Sequence, residues 1–203
     1  MFQLAAPATF RFREKASVFL AELHPAGDAA ARSAVLARLR KRDFDATHHC
    51  AAWREGVPVH AQGSADDGEP AGTAGPPMLR VLEGAELTDL VAICIRWFGG
   101  TKLGTGGLVK AYTEAVQGAL QEARQAGLLR EVRILRTGVL AVAAAQAHLP
   151  FAVLAAFPDA EIQEQTFAGA EALLRFRIPP ERAEALAHAW KERSRGGGVA
   201  WEA

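Results

Sequence analysis

The sequence predicts an α+β protein with two domains, residues 1–130 and 131–203. Residues 91–98 are almost wholly apolar, as expected of a central strand buried on both faces, and an amphipathic helix pattern follows them. After residue 131 the pattern becomes strand, helix, strand, strand, helix, strand. That βαββαβ order is typical of a ferredoxin-like domain. With half of its 203 residues apolar, the chain is long enough for two small cores.

The first half shows alternating apolar residues over 9–23, which predict one or two strands. Asp28 is expected to cap a helix that runs to residue 42. Strands are predicted over 47–53 and 57–61, with a turn at 55–56, and a helical pattern over 78–90 after Pro76-Pro77 ends a loop. The helix after the central strand begins at Thr105 or Gly106 and ends at Gly127, a typical C′ residue.

The second half predicts strands over 132–142, 160–167, 170–178 and 199–201, with helices over 146–157 and 181–194. Gly169 marks the turn between the two middle strands. Because this half carries its own apolar faces, we expect it to fold alone.

The charges balance, with 23 basic and 23 acidic residues, so any role in nucleic-acid binding must depend on a local basic patch. Cys50 and Cys94 lack metal-ligand spacing, which favours a reducing compartment. No signal peptide and no membrane-spanning stretch is recognised in the sequence. We therefore expect a cytoplasmic protein without a membrane partner; the sequence leaves its oligomeric state open.

Two loops carry the unusual composition. The acidic loop, residues 64–75, gathers three carboxylates, and the glycine loop, residues 96–110, has three cations and five glycines between a strand and a helix. A helix N-terminus with free N–H groups favours an anion. The predicted ligand-binding residues are Asp66, Asp67, Glu69, Gly72, Thr73, Gly75, Arg96, Gly99, Gly100, Lys102, Gly104, Thr105, Gly106, Gly107 and Lys110.

We expect the two loops to face one another, with the carboxylates pairing with Arg96 and Lys102 across a cleft. The carboxylates could instead hold Mg²⁺, although few further oxygen ligands lie nearby in the sequence. The plainer alternatives are a tight strand-to-helix turn for the glycines and ordinary turn chemistry for Asp67-Gly68. No Walker or dinucleotide pattern is present, and no catalytic residue, metal site or cofactor is predicted.

Two other features have mainly structural interpretations. In His48-His49-Cys50 the successive side chains of a strand alternate faces, so His49 and Cys50 cannot form a nucleophile-base pair. The basic face of the helix ending at residue 42 is typical of a solvated surface, with contact to RNA phosphates or an acidic partner as the functional alternative.

Segments 46–53, 66–75 and 96–100 with 103–112 resemble the IMPACT family in its bacterial YigZ-like branch. The resemblance implies an N-terminal α/β domain with the left-handed βαβ crossover of a ribosomal-protein and elongation-factor superfamily. It also implies a C-terminal domain similar to a ferredoxin-like domain of elongation factor G. In eukaryotic relatives the IMPACT domain belongs to a translational regulator that acts through protein partners. Val18 stands where the family usually has arginine, which weakens any anion contact from the first strands.

The predicted function is therefore a non-catalytic, translation-linked regulator that binds RNA, a ribosomal element or a translation factor through the charged glycine-rich cleft. The alternative is an enzyme that acts on a phosphorylated or peptide-like small molecule in the same cleft. An enzyme requires a closed pocket with a titratable group near a reacting atom, whereas a binding module presents an open surface with exposed cations.

Overall fold

The computed structural model describes residues 1–202, which form three β-sheets and five α-helices. The fold class is α+β, as predicted. The chain divides into two compact units, Met1–Val132 and the residues from Arg133 onward. The predicted boundary lies two residues earlier, and whether each unit folds alone stays a prediction.

The first unit contains eight strands and three helices. They are β1 (Phe2–Leu4), β2 (Ala8–Glu14), β3 (Ser17–Pro25), α1 (Ala29–Arg42), β4 (His48–Glu55), β5 (Ala61–Ala65), α2 (Gly75–Gly84), β6 (Leu87–Thr88), β7 (Leu90–Trp97), α3 (Gly104–Gln125) and β8 (Leu129–Glu131).

The main sheet has the order β2-β3-β7-β4-β5, with every neighbouring pair antiparallel. Strand β7 lies at its centre and is buried on both faces, as its apolar sequence predicted. Its alternate residues enter two different cores: Ala92 and Cys94 pack with α2 and α3, while Ile93 and Ile95 pack with α1. The unit is thus a sheet between helices, with α1 on one face and α2 and α3 on the other.

The helix signals in the sequence are confirmed at their ends. Asp28 caps α1 by accepting a hydrogen bond from the N–H of Ala31 at 2.8 Å. Gly127 follows α3 with φ of +65°, the left-handed conformation that favours glycine. Helix α3 begins at Gly104, slightly earlier than predicted.

Some elements differ from the prediction. Residues 56–59 form a turn, so the return strand β5 begins only at Ala61. Pro76 and Pro77 lie in the first turn of α2 instead of ending the loop, because proline lacks only an N–H that this turn does not use. The short β1 pairs with β6 and with β8, which places Leu129–Glu131 in the first unit.

The second unit contains β9 (Arg136–Ala143), a 3₁₀ turn, α4 (Leu149–Leu154), β10 (Glu161–Ala168), β11 (Glu171–Ile178), α5 (Pro180–Arg193) and β12 (Val199–Trp201). Its antiparallel sheet has the order β10-β11-β9-β12. One face of the sheet packs against the two helices around the fully buried Phe176 and Trp190. Helix α4 is shorter than predicted at both ends, since residue 146 belongs to the 3₁₀ turn and the helix ends at Leu154.

Candidate ligand-binding surface

Several segments of the first unit converge at one end of the main sheet. The N–H of Phe98, just after β7, donates to Thr47 Oγ1 before β4 at 3.0 Å. The tip of the β2–β3 hairpin reaches the glycine loop, where Lys15 Nζ donates to the carbonyl of Lys102 at 3.4 Å. The acidic loop joins the same end, because His48 Nδ1 lies 2.8 Å from the carbonyl oxygen of Asp67. The predicted site residues therefore come from segments that lie together.

A buried ion pair links the acidic loop to the end of β7. Arg96 donates to Glu69 Oε1 at 2.6 Å, and the two side chains are only 5% and 3% exposed. Tyr112 on α3 donates its hydroxyl to the same oxygen at 2.6 Å, and Arg96 also donates to Ser17 Oγ at 3.1 Å. This group of Ser17, Glu69, Arg96 and Tyr112, here called the buried brace, joins β3, β7, α3 and the acidic loop.

The guanidinium of Arg96 also packs between two aromatic rings. It lies 5.4 Å from the ring centre of the buried Phe19 and 5.4 Å from that of Phe98. Such contacts between a cation and an aromatic face are favourable, more so when the cation is desolvated. Its Nε is buried and has no hydrogen-bond partner in residues 1–202.

Asp66 holds the acidic loop together from within. Its carboxylate accepts hydrogen bonds from the N–H groups of Gly72, Ala74 and Gly75 at 2.7, 3.0 and 2.8 Å. Burial alone would raise the pKa of Asp66, but the three N–H donors outweigh it and lower the pKa. Thr73 is buried and donates to the carbonyl of Pro70 at 2.7 Å. Asp66 thus has a structural role in the loop.

Asp67 turns towards α1. It forms an ion pair with Arg40 at 2.5 Å and accepts a hydrogen bond from the N–H of His49 at 2.6 Å. Its φ of +46° and the +85° of Gly68 fit the turn that the Asp-Gly pair predicted. The basic face of α1 is likewise engaged, since Arg32 pairs with Glu55 and Arg42 pairs with Glu22 and Asp43.

The glycine loop is exposed and closely fitted at one point. A Cβ on Gly99 would approach the carbonyl oxygen of Ala16 to 1.8 Å, so only glycine fits against the hairpin tip. Gly100 and Gly104 have φ of +87° and +75° and face open space, as does Gly106. Gly107 is half-buried against Leu103.

The N-terminus of α3 lacks both a side-chain cap and an acidic residue in its first turn. Three exposed lysines come from this region: Lys102 precedes the helix, Lys110 lies in its second turn, and Lys15 comes from the hairpin. Throughout residues 1–202 no carboxylate forms an ion pair with any of the three. These lysines and residues 99–106, which are exposed apart from the partly buried Leu103, are here called the lysine surface.

The two loops therefore meet, but not as one set of facing charges. Glu69 and Arg96 pair as expected, whereas Lys102 has no carboxylate partner among the described residues. The sequence interpretation missed Ser17 and Lys15, which only the pairing of β3 with β7 brings to this end of the sheet. Their position at the hairpin between two strands with alternating apolar residues was the sequence signal that could have identified them.

Cys50 and Tyr112, two buried side chains at the brace, are held in their protonated forms. Burial raises the pKa of Cys50 to about 12, against a smaller opposing effect of the Tyr112 hydroxyl. The Cys50 sulfur lies 3.0 Å from the carbonyl oxygen of Asp66 and 3.4 Å from that hydroxyl. Burial also raises the pKa of Tyr112, and its hydrogen bond to Glu69 adds to the rise. A protonated buried thiol is a poor nucleophile.

His49 lies on the opposite face of β4 from Cys50, as the strand alternation predicted. Burial lowers the pKa of His49 below its usual 6.5; Asp67 opposes this shift and Arg40 adds to it. Its Nε2 is buried without a hydrogen-bond partner in the described part of the chain. His49 is thus a packed, neutral histidine near neutral pH.

Two kinds of feature are absent from residues 1–202. No group of three or more His, Cys, Asp or Glu side chains is placed to hold a metal ion. No helix is long and apolar enough to cross a membrane.

Residues 15–120, more than half of the chain, match the model of the Impact N-terminal domain. The chain belongs to the IMPACT family. The IMPACT family member YigZ of Escherichia coli (strain K12) is 45% identical over 120 residues, 58% of this chain and 59% of that protein. YvyE of Bacillus subtilis (strain 168) is 48% identical over 83 residues, 41% of this chain and 38% of that protein. The chain thus spans less than two thirds of these IMPACT relatives in the matched regions.

A solved structure supports the full-length fold of this IMPACT protein. A crystal structure described as a hypothetical protein aligns over 100% of this chain and 97% of its own, with 33% identity and a TM-score of 0.62. A structure of Yih1, described as a two-domain translational regulator, aligns over 60% of this chain with 24% identity and a TM-score of 0.35. The second likeness is too low to carry an argument about function.

Proposed function

We propose that this protein is a non-catalytic, translation-linked module that binds RNA phosphates through the lysine surface. The observation that carries the proposal is the engagement of the neighbouring carboxylates. Asp66 is bonded to backbone, Asp67 to Arg40 and Glu69 to the buried brace. The acidic loop therefore does not neutralise the lysines, and an external anion is their natural partner.

The backbone at this surface favours the same ligand. Helix α3 spans 22 residues, and its N-terminus carries uncapped N–H groups at the positive end of the helix dipole. A Cβ at position 100, 104 or 106 would meet no atom within 4 Å, so the surface beside this helix end is open. Phosphate is a common ligand of such helix ends, and lysines nearby add affinity without reading sequence.

The link to translation rests on the family resemblance. From that resemblance we also propose that the first unit belongs to the ribosomal-protein and elongation-factor superfamily, with a left-handed βαβ crossover. We likewise propose that the second unit is similar to a ferredoxin-like domain of elongation factor G. Support comes from the topology: β3 and β4 run parallel on either side of β7 with α1 between them, and the second sheet has the order β10-β11-β9-β12. Likeness of fold is a weaker warrant than the site itself.

The chemistry near the surface favours binding over catalysis. A nucleophile must be accessible and deprotonated, and Cys50 is buried with its pKa raised to about 12. The Glu69 carboxylate is occupied by Arg96 and Tyr112. We expect Cys50 in the native protein to resist alkylation by iodoacetamide at pH 8; labelling at the rate of an exposed thiol would favour the enzyme alternative.

The test is binding of a fluorescently labelled, single-stranded RNA of about 12 nucleotides, a length within the range that one binding domain covers. We expect anisotropy to rise at low salt for the wild type and Lys102→Ala to weaken binding of all sequences alike. Lys191→Ala, which removes an exposed lysine from α5 in the second unit, is the matched control and should bind as the wild type does.

Absence of RNA binding by the wild type at low salt would overturn the proposal. Pull-down from lysate with and without RNase then separates the remaining partners. Capture that survives RNase and is lost with Lys102→Ala would assign the lysine surface to a protein partner.

A further inference from the structure

The geometry points to single-stranded RNA as the ligand, with Phe98 as a platform on which an unpaired base stacks. This inference rests on the proposed function and adds to it the class of RNA. A phosphate surface alone binds single strands and duplexes, so the distinction depends on an aromatic ring placed beside the phosphates.

Phe98 is a large apolar side chain that is 44% exposed although it directly follows a buried strand. Its backbone N–H is fixed on Thr47 Oγ1 at 3.0 Å. The guanidinium of Arg96 lies against the ring, 5.4 Å from its centre, and is itself held by Glu69 and Ser17. The ring is thus supported from the protein side, so that little conformational freedom is lost when a base covers the exposed part.

The ring lies next to the phosphate-binding part of the lysine surface. Gly99 and Gly100 follow Phe98 directly, and Lys102 lies four residues after Phe98 in the same exposed loop. Gly99 has no room for a Cβ against Ala16, so the loop between ring and lysine is closely fixed to the hairpin. One nucleotide has both groups, a base for the ring and a phosphate for the lysine and the helix N-terminus.

This arrangement discriminates against a duplex. In double-stranded RNA the base faces are stacked on one another, and recognition uses the shape of the grooves and the 2′-hydroxyl groups. Only an unpaired base can present its face to an aromatic side chain. Phe98 therefore adds affinity for single strands and none for a duplex.

Phe44 is the other exposed aromatic side chain near this end of the sheet. It is 83% exposed and lies between Asp43 and Asp45, outside the lysine surface. Phe44 therefore serves as the matched control for the loss of an exposed ring.

The experiment compares Phe98→Ala, Phe98→Trp and Phe44→Ala with the wild type, using the single-stranded probe of about 12 nucleotides and a duplex of equal length at one salt concentration. Stacking on an aromatic side chain is worth enough that Phe98→Ala should weaken single-strand binding roughly 5- to 100-fold and leave duplex binding unchanged. Phe98→Trp should retain the preference for single strands, and Phe44→Ala should match the wild type. Thermal unfolding of each variant establishes that the fold is kept.

The outcomes separate this inference from the proposed function. Binding of neither probe by the wild type overturns both. Equal binding of single strand and duplex, unchanged by Phe98→Ala but weakened by Lys102→Ala, keeps the phosphate surface and overturns the stacking platform. An equal loss in Phe44→Ala, or failure of Phe98→Trp to keep the preference, also overturns it, because the effect would then not belong to a ring at position 98.

Discussion

The buried pair of Glu69 and Arg96 predicts a large coupling free energy in the stability of the first unit. The two side chains meet at 2.6 Å with 3% and 5% exposure, so neither charge is well hydrated. With charge centres about 4 Å apart, an effective dielectric of about 20 gives an attraction of about 4 kcal/mol. Removal of one partner leaves the other charge buried, and Arg96→Met or Glu69→Gln should each lower the free energy of unfolding by about 3–5 kcal/mol.

A double-mutant cycle tests this estimate. Glu69→Gln keeps an acceptor for the Tyr112 hydroxyl, and Arg96→Met keeps the apolar stem between the aromatic rings. Because the double variant buries no unpaired charge, it should cost about as much as either single change, with a coupling of about 3 kcal/mol. Urea unfolding followed by circular dichroism measures the series, and the exposed Lys102→Ala should stay within about 0.5 kcal/mol of the wild type. Single changes below about 1 kcal/mol, or an additive double variant, would refute the structural role of the pair.

Three further predictions concern the loop, the buried histidine and the second unit. Gly99→Ala should destabilise the protein by more than about 2 kcal/mol because its Cβ meets the backbone of Ala16. Gly106→Ala, at a position that faces open space in α3, should be neutral or stabilise by about 0.5–1 kcal/mol. Equal unfolding midpoints for the two variants would contradict this prediction. The lowered pKa of His49 means that the unfolded state binds more protons below its usual pKa of 6.5. The free energy of unfolding should therefore fall as the pH drops through that value, by up to about 1.4 kcal/mol per pH unit. His49→Phe should remove this contribution to the pH dependence of stability. Identical pH profiles for the two proteins would show that His49 is not the group responsible. A fragment that begins at Arg133 should unfold cooperatively on heating, and a disordered fragment would mean that this unit depends on the rest of the chain.

The elements that the sequence predicted well are those with strong local signals. The unbroken apolar run of β7 and the Asp28 cap of α1 act within a few residues, and the structure has both where the pattern indicated. The βαββαβ order of the second unit followed from the same periodicity. The short strands β1 and β8 escaped prediction, because only their pairing with each other and with β6 defines them.

The sequence indicated which two loops of the candidate site meet, but not the partner of each side chain. Charge and glycine content indicated that the two loops belong together, and the contact between Glu69 and Arg96 agrees. The sequence could not show which carboxylate turns inward, because that depends on hydrogen-bond geometry. Asp66 is used by three backbone N–H groups, and Asp67 by Arg40 on a helix some 27 positions earlier in the chain. Because these carboxylates have other partners, none of them forms an ion pair with Lys102.

The measurement that most directly tests the central claim is the salt dependence of single-stranded RNA binding for the wild type, Lys102→Ala and Lys191→Ala. Each lysine that contacts a phosphate contributes roughly 0.7–1 to the slope of log affinity against log salt concentration. With 23 basic and 23 acidic residues, the protein has little overall charge to add to that slope. We predict a steep slope for the wild type, a slope lower by about one for Lys102→Ala and an unchanged slope for Lys191→Ala. A slope that Lys102→Ala leaves unchanged would contradict the assignment of phosphate binding to the lysine surface.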